Sequence, residues 1–471
     1  MKNFINWDIN FSIKIFAFTA SVYVLSIMLF FNRILSFPYI FFSFFNVFFF
    51  CSCITYFNKK WKSVSKNRFE RKVFITALMI AILVIILQSL FFYNTTGTLF
   101  SPTASDEYGY HENALFLSDN YKAGNFNLHN LTYDWNFSDL GYPFFVSLVY
   151  FFVPSVLFLR IIQAILFSFL GVLAYRIAKY CTEEKSARLS AMLVVFYPIF
   201  LWNIGSVLKE TVMLFLILLS IYLLYKLLLE KQKIKSAIFL FLVIIILFSF
   251  RTSIAGLLLI VILSSLISNK ANKKLWPLVI GISLLGIILF FLISSGEIET
   301  VQRKIQNRIT NFESRGSLIN DRGQNFANKI SKPISLMTVI LAPFPSFVNI
   351  PVQSNIYGIH EKWFYSGGLF IWNAIALFTL IGIYLLLRRN LRKAIPLLMF
   401  SFGYWYIIAI AGFASSTRFQ IPSMPIAFIF AAIGLQNTKK SWLKYWYLYL
   451  FLFIFVILIW NYFQLRGRGI I

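Results

Sequence analysis

The stretch Ser101–Tyr142, SPTASDEYGYHENALFLSDNYKAGNFNLHNLTYDWNFSDLGY, is the one long polar interval in the first half of a very hydrophobic chain. It carries six acids (Asp106, Glu107, Glu112, Asp119, Asp134 and Asp139) against a single base, Lys122. The chain around it is basic, with 43 Lys and Arg against 17 Asp and Glu, so this local reversal of sign needs a physical reason. The flanking segments are apolar runs of about twenty residues, the length that crosses a hydrocarbon core of about 30 Å. The interval therefore reads as a loop outside a membrane, joining helices that cross it.

Composition extends that reading to the whole chain. Of 471 residues 59% are hydrophobic and 13% charged, and the mean hydropathy is +0.75. A soluble globular protein carries about twice that charge. The apolar runs predict an all-α polytopic membrane protein of about thirteen transmembrane helices, near 11–31, 37–57, 72–93, 158–179, 188–204, 210–229, 236–250, 254–268, 275–294, 366–387, 394–413, 419–436 and 445–463. Arg251-Thr252 marks either a kink in one long helix or a tight outer turn between two short ones. Segments 141–157 and 333–350, broken by Pro154 and by Pro343 and Pro345, read as interfacial helices in two outer loops. The tract FFSFFNVFFF (41–50) reads as a lipid-facing helix.

A net charge of +26 would suggest nucleic acid in a soluble protein. Here most of it lies in short loops beside apolar runs, as the positive-inside effect requires, and no nucleic-acid partner is implied. Seven Lys and Arg fall between 59 and 72, four in each of 176–188, 226–235 and 388–393, and three in each of 270–274 and 439–444. With those loops on the cytoplasmic side, the acidic loop and the interval 295–365 face outward. Arg466 and Arg468 then lie outside, against the rule. Lys2 with the apolar run behind it, and no small-residue cleavage site, reads as a retained signal anchor. Abundant Phe, Ile, Lys and Asn suggest an AT-rich bacterial genome, hence a bacterial inner membrane with the site facing the periplasm or exterior.

Cofactor chemistry finds little purchase. Cys51, Cys53 and Cys181 form no disulfide framework, and His111, His129 and His360 are widely spaced with no HxxxH pair. No cofactor is implied, and a divalent metal ion has no ligand set that the sequence reveals.

Three constellations carry reactive groups. Asp106-Glu107, followed by Tyr108, Tyr110, His111 and Glu112, sits just beyond a span, where a carboxylate can take the proton of an attacking hydroxyl. The same acids also fit a solvated loop that merely stays in water. Lys209-Glu210 opens a helix at a membrane boundary, either as a snorkelling lysine with its partner or as part of the same outer cavity. Arg160, Arg251, Arg315, Arg322 and Arg418 form a third, basic set, each guanidinium able to hold two oxygens of a phosphate. Arg251 lies between apolar runs and must be paired or wetted. Arg315 and Arg322 lie in FESRGSLINDRGQ, which fits a basic loop near anionic lipid equally well.

These pieces, in this order, resemble the GT-C superfamily of membrane glycosyltransferases. They are Asp106-Glu107-x-x-Tyr110 after a span, GYPFFVSLVYFF (141–152), LRIIQAILFSFLGVLAYRIAKY (159–180), YPIFLWNIGSVLKETVMLFLILLSIYLL (197–224) and STRFQIPSMPIAFIFAAIG (416–434). Within that superfamily the chain is similar to the protein O-mannosyltransferase and aminoarabinose-transferase branch, over roughly Lys72 to Leu435. The division implied is two extra helices in 1–71, a catalytic domain in 72–436 with outer loops 94–157 and 295–365, and a last helix and tail in 437–471. The resemblance implies transfer of a sugar, with inversion, from a polyprenyl-phosphate donor to a lipid, glycan or protein acceptor. Asp106 is then the expected general base and Glu107 its alternate. Glu210, Tyr110 and His111 would bind the acceptor or order the loop. Arg418, in an RF-x-x-P setting, is the first expected donor-phosphate ligand, then Arg251, with Lys209, Arg315 and Arg322 as further candidates.

Two rivals remain at this stage. A polymerase or ligase of lipid-linked saccharides would place its Arg-bearing outer loop in the second half of the chain, where 295–332 lies. A transporter or flippase of lipid-linked sugars would favour charges at the membrane midplane and related halves. Convergence of Asp106, Glu210 and Arg418 on one outer pocket separates these alternatives.

Overall fold

The apolar runs are helical wherever the computed structural model describes them, which is over residues 5–30, 37–101, 105–125, 137–230, 233–268, 339–345, 362–389, 391–410 and 416–466. Among those residues nine helices are long and apolar enough to cross a membrane, and a bent pair makes up to ten. The chain is an all-α polytopic membrane protein. The expected spans near 236–250 and 254–268 are helices Lys233–Phe250 and Thr252–Ser268, whose apolar stretches are shorter than the other spans. The expected span 275–294, Arg315, Arg322, His129 and His360 lie outside the described residues, as do most of the interfacial segment 333–350 and the extremity of the C-terminal tail.

The run expected as one helix over 188–204 is two, Glu184–Val195 and Pro198–Ile204, bent by 49°. Pro198 causes the break: it lacks an N–H and forces Tyr197 before it out of the helical region, to φ −70° and ψ 120°. The Gln88 amide, from helix Lys66–Thr96, donates to the carbonyl of Trp202 in the short second piece (3.1 Å). The same side chain lies against Gly205, where a Cβ would have to displace its amide. This broken helix delivers the chain to the turn before Glu210.

Between helices in lipid, close packing replaces the hydrophobic drive, and small residues permit it. Gly382 of helix Lys362–Arg389 and Gly434 of helix Met424–Asn437 touch each other's backbones through Phe430 and Phe378. The N-terminal helices Ile9–Phe30 and Phe37–Lys60 join the same body. Tyr23, Ser43 and Ser366 form a buried hydroxyl chain with 2.5 Å steps. On Phe37–Lys60, Phe41, Phe45 and Phe48 face outward while Val47 and Phe50 are fully buried.

The bundle has two chemically distinct ends. At one end the basic loops interlock. Arg176 pairs with Glu70 at 2.6 Å, and Arg188 binds Glu184 and the carbonyls of Trp61 and Val64. The Ile5 amide donates to Thr438 across the same end. The other end receives Thr96, the acidic loop helix Ser105–Lys122, the start of Val156–Cys181, the turn 205–209, Arg251 and Arg418. The apolar helix Phe137–Phe152 lies against Ser105–Lys122 and Lys233–Phe250 at this end and stops before Pro154.

Candidate active site

The acidic interval of the sequence folds back over the bundle. Helix Lys66–Thr96 ends at Gly97, whose left-handed backbone (φ 69°) reverses the chain. Within ten residues a new helix, Ser105–Lys122, begins with Asp106 and Glu107 in its first turn, where the helix dipole favours carboxylates. Glu210 occupies the same favoured position in helix Glu210–Leu229. Adjacent helical residues point about 100° apart. Asp106 is accordingly half exposed, at 49%, while Glu107 is buried at 3%.

Arg418 joins the two acidic helix starts. Its Nη1 donates to Asp106 Oδ2 and its Nε to Glu210 Oε1, each at 2.5 Å. Such charge-assisted bonds are the strong class. The guanidinium is 41% exposed and Glu210 only 3%, so the cluster is buried on one side and open on the other. Asp106 Oδ1 is left free of this pairing. Arg418 lies in the short helix Thr417–Gln420, which passes through a single 3-10 turn at Ile421–Ser423, containing Pro422, into Met424–Asn437.

Arg251 comes to the same end. Its guanidinium lies over the ring of Phe419, 4.8 Å from the centroid, and among the described residues no carboxylate is within ion-pairing distance of it. Tyr404 donates to the Phe419 carbonyl at 2.8 Å and lies within reach of the charges of both Arg251 and Glu210. The cation expected first as a phosphate ligand, Arg418, is thus already held by two carboxylates. The one expected second is not.

Behind the cluster is a buried polar layer. The Glu107 carboxylate is hydrogen-bonded by backbone groups of Val207 and Ser101 and by the Ser206 hydroxyl, and faces the charge of Arg160. Burial outweighs these partners and pushes its pKa from 4.5 up to about 7. Arg160 is fully buried, donating to Ser89 Oγ (2.9 Å) and to the Leu99 carbonyl (2.6 Å). Gln163 one turn further on donates to Tyr142 Oη (2.7 Å) and to the Leu208 carbonyl (3.2 Å).

The remaining candidates take supporting places. Tyr110 is buried with its ring edge-on to Tyr142 at 4.9 Å. His111 Nδ1 meets Tyr150 Oη at 2.9 Å, and burial lowers its pKa. Lys209 is buried at the head of Glu210–Leu229. Ser206, Val207, Gln163, Tyr142 and Tyr404 were not singled out from sequence. Gln163 had a legible signal, a polar side chain one turn from Arg160 in an apolar run. The others did not. Among the described residues no three His, Cys, Asp or Glu side chains converge as a metal site would require.

Against known proteins, no family model and no curated sequence matches the chain. Among solved structures it is similar to the archaeal oligosaccharyltransferase AglB from Archaeoglobus fulgidus, in complex with an inhibitory peptide and a dolichol-phosphate. Identity is 13% and the TM-score 0.43, over 86% of this chain and 56% of that one, so the chain spans little more than half the length of that structure.

Proposed function

We propose that this chain is a membrane glycosyltransferase that moves a sugar from a polyprenyl-phosphate donor to a hydroxyl acceptor at the acidic end of the bundle, with inversion at the anomeric carbon. The observation that carries this reading is the fork of Arg418, whose half-exposed guanidinium binds the half-exposed Asp106 and the buried Glu210 from two separate helix starts.

In the reaction, the acceptor oxygen attacks the anomeric carbon while its proton passes to Asp106, through the oxygen that Arg418 does not engage. The bond from carbon to phosphate oxygen breaks, and the electron pair leaves with the polyprenyl phosphate. Arg251, the guanidinium with no carboxylate beside it among the described residues, meets the negative charge that develops on that phosphate. Arg418 and Glu210 orient Asp106 instead of holding the donor. Glycan lipids, lipid A-type lipids and protein Ser or Thr are all acceptors of suitable chemistry.

The test is sugar transfer by purified protein in nanodiscs, with lipid extract supplying donor and acceptor. Asp106→Asn at matched folding is expected to lose at least about a hundredfold in rate while still binding carrier lipid. Undiminished transfer would remove Asp106 as base. Carrier movement across the bilayer with no transfer by the wild type would replace the enzyme reading by a flippase.

A further inference from the structure

We propose that Glu107 is a positioning residue, a buried tie that holds the loop bearing Asp106 against the turn leading to Glu210 and so brings both carboxylates within reach of Arg418. The inference rests on the Asp106–Glu210–Arg418 cluster being the reacting centre.

The argument begins with which groups face this carboxylate. From its own polypeptide segment comes Ser101, five residues before Asp106, and from the other side come Ser206 and Val207, four and three residues before Glu210. All the hydrogen-bonding groups presented are donors. An ionised carboxylate, with only acceptor sites, complements such a set. The donors meet one oxygen, since the other has no partner, and a leucine of similar volume would offer them no acceptor at all. Glu107 therefore links the two acid-bearing segments from inside, while Arg418 links them from the cleft.

The charged and titratable groups around Glu107 act in the same sense. Arg160, from helix Val156–Cys181, faces it and is itself locked to Ser89 and the Leu99 carbonyl, next to the start of the acidic loop. Tyr142, from Phe137–Phe152, lies within the fields of both Glu107 and Glu210, with Tyr110 and Tyr150 beside it. One carboxylate oxygen, Oε2, has no hydrogen-bond partner among the described residues. A group used only as filler at this position would be apolar or a neutral amide, because burying a carboxylate opposes folding. A carboxylate here serves the donors that it gathers. The oxygen that gathers these donors accepts in either protonation state, and Oε2 is free to carry the proton that burial favours.

Hydrogen exchange in nanodiscs, without substrate, tests the tie directly. Glu107→Leu is expected to speed exchange in peptides covering 101–110 and 205–210 together, by about fivefold to tenfold, and to leave the basic end unchanged. Ser206→Ala, which removes one donor and little bulk, gives a smaller effect in the same two segments if the first variant folds poorly. Loosening of one segment alone, or of neither, overturns the proposal. Transfer kinetics then ask what the tie does: in Glu107→Leu kcat falls with KM nearly unchanged. A variant that loosens both segments yet keeps the wild-type rate would show a tie without a positioning role, and would also overturn it. If the wild type transfers no sugar, the enzyme reading fails and the exchange result alone decides whether the tie exists.

Discussion

Burial of Glu107 has a measurable thermodynamic cost. Its pKa stands at about 7 in the folded protein against 4.5 for an ordinary glutamate. At 1.36 kcal/mol for each tenfold change, that difference corresponds to about 3 kcal/mol. Between pH 4.5 and 7 the unfolded chain has released a proton that the folded chain still holds. Stability conferred by this group is therefore full below pH 4.5, declines as pH rises across that window, and is lost above 7. The perturbation is Glu107→Gln, which cannot titrate, and the assay is reversible unfolding in bicelles at a series of pH values from 4.5 to 8.5. Other groups titrate in both proteins, so the difference between wild type and variant isolates Glu107. Any cost of the substitution itself does not vary with pH. On top of that, the wild type is expected to lose about 3 kcal/mol relative to the variant as pH rises, a ceiling that residual hydration would lower. A difference that stays flat with pH would refute the reasoning, because it would mean that Glu107 has the same proton affinity folded and unfolded.

Other expectations follow from the same geometry. Arg418→Gln leaves Glu210 buried without its cation and should cost about 2–3 kcal/mol, less than for a wholly buried pair because the guanidinium is 41% exposed. Adding Glu210→Gln should restore part of that loss, and a double-mutant cycle showing simple additivity would contradict the pairing. Gly434→Val places a side chain against the backbone of Phe378, which cannot rotate away as a side chain could. A destabilisation of about 1–3 kcal/mol is expected in thermal unfolding, while the same change at Gly256, which has open space around it, should cost far less. Single cysteines at Glu112 and at Lys66 should react with a membrane-impermeant maleimide from opposite faces of sealed vesicles; labelling from one face would refute the two-ended arrangement.

Much of this architecture can be read from the sequence because it depends on local properties. A run of about twenty apolar residues must satisfy its own backbone hydrogen bonds in lipid, and only a helix does so within one segment. The basic loops and the acidic interval mark opposite ends for the same reason, since charges stay out of hydrocarbon. The reactive residue types were legible too: Asp106, Glu210 and Arg418 are each polar groups at the edge of an apolar run. The break at Pro198 belongs to local chemistry as well, although an apolar run over 188–204 concealed it. What only the tertiary structure decided is which of these groups meet. Arg418 lies 312 residues from Asp106 and 208 from Glu210, and their contact depends on how far each helix rises and rotates against its neighbours. The same holds for the separation of Asp106 from Glu107. Side by side in the chain, one faces the cleft and the other a ring of buried donors, because helical rotation and packing, not residue type, determine what a side chain meets.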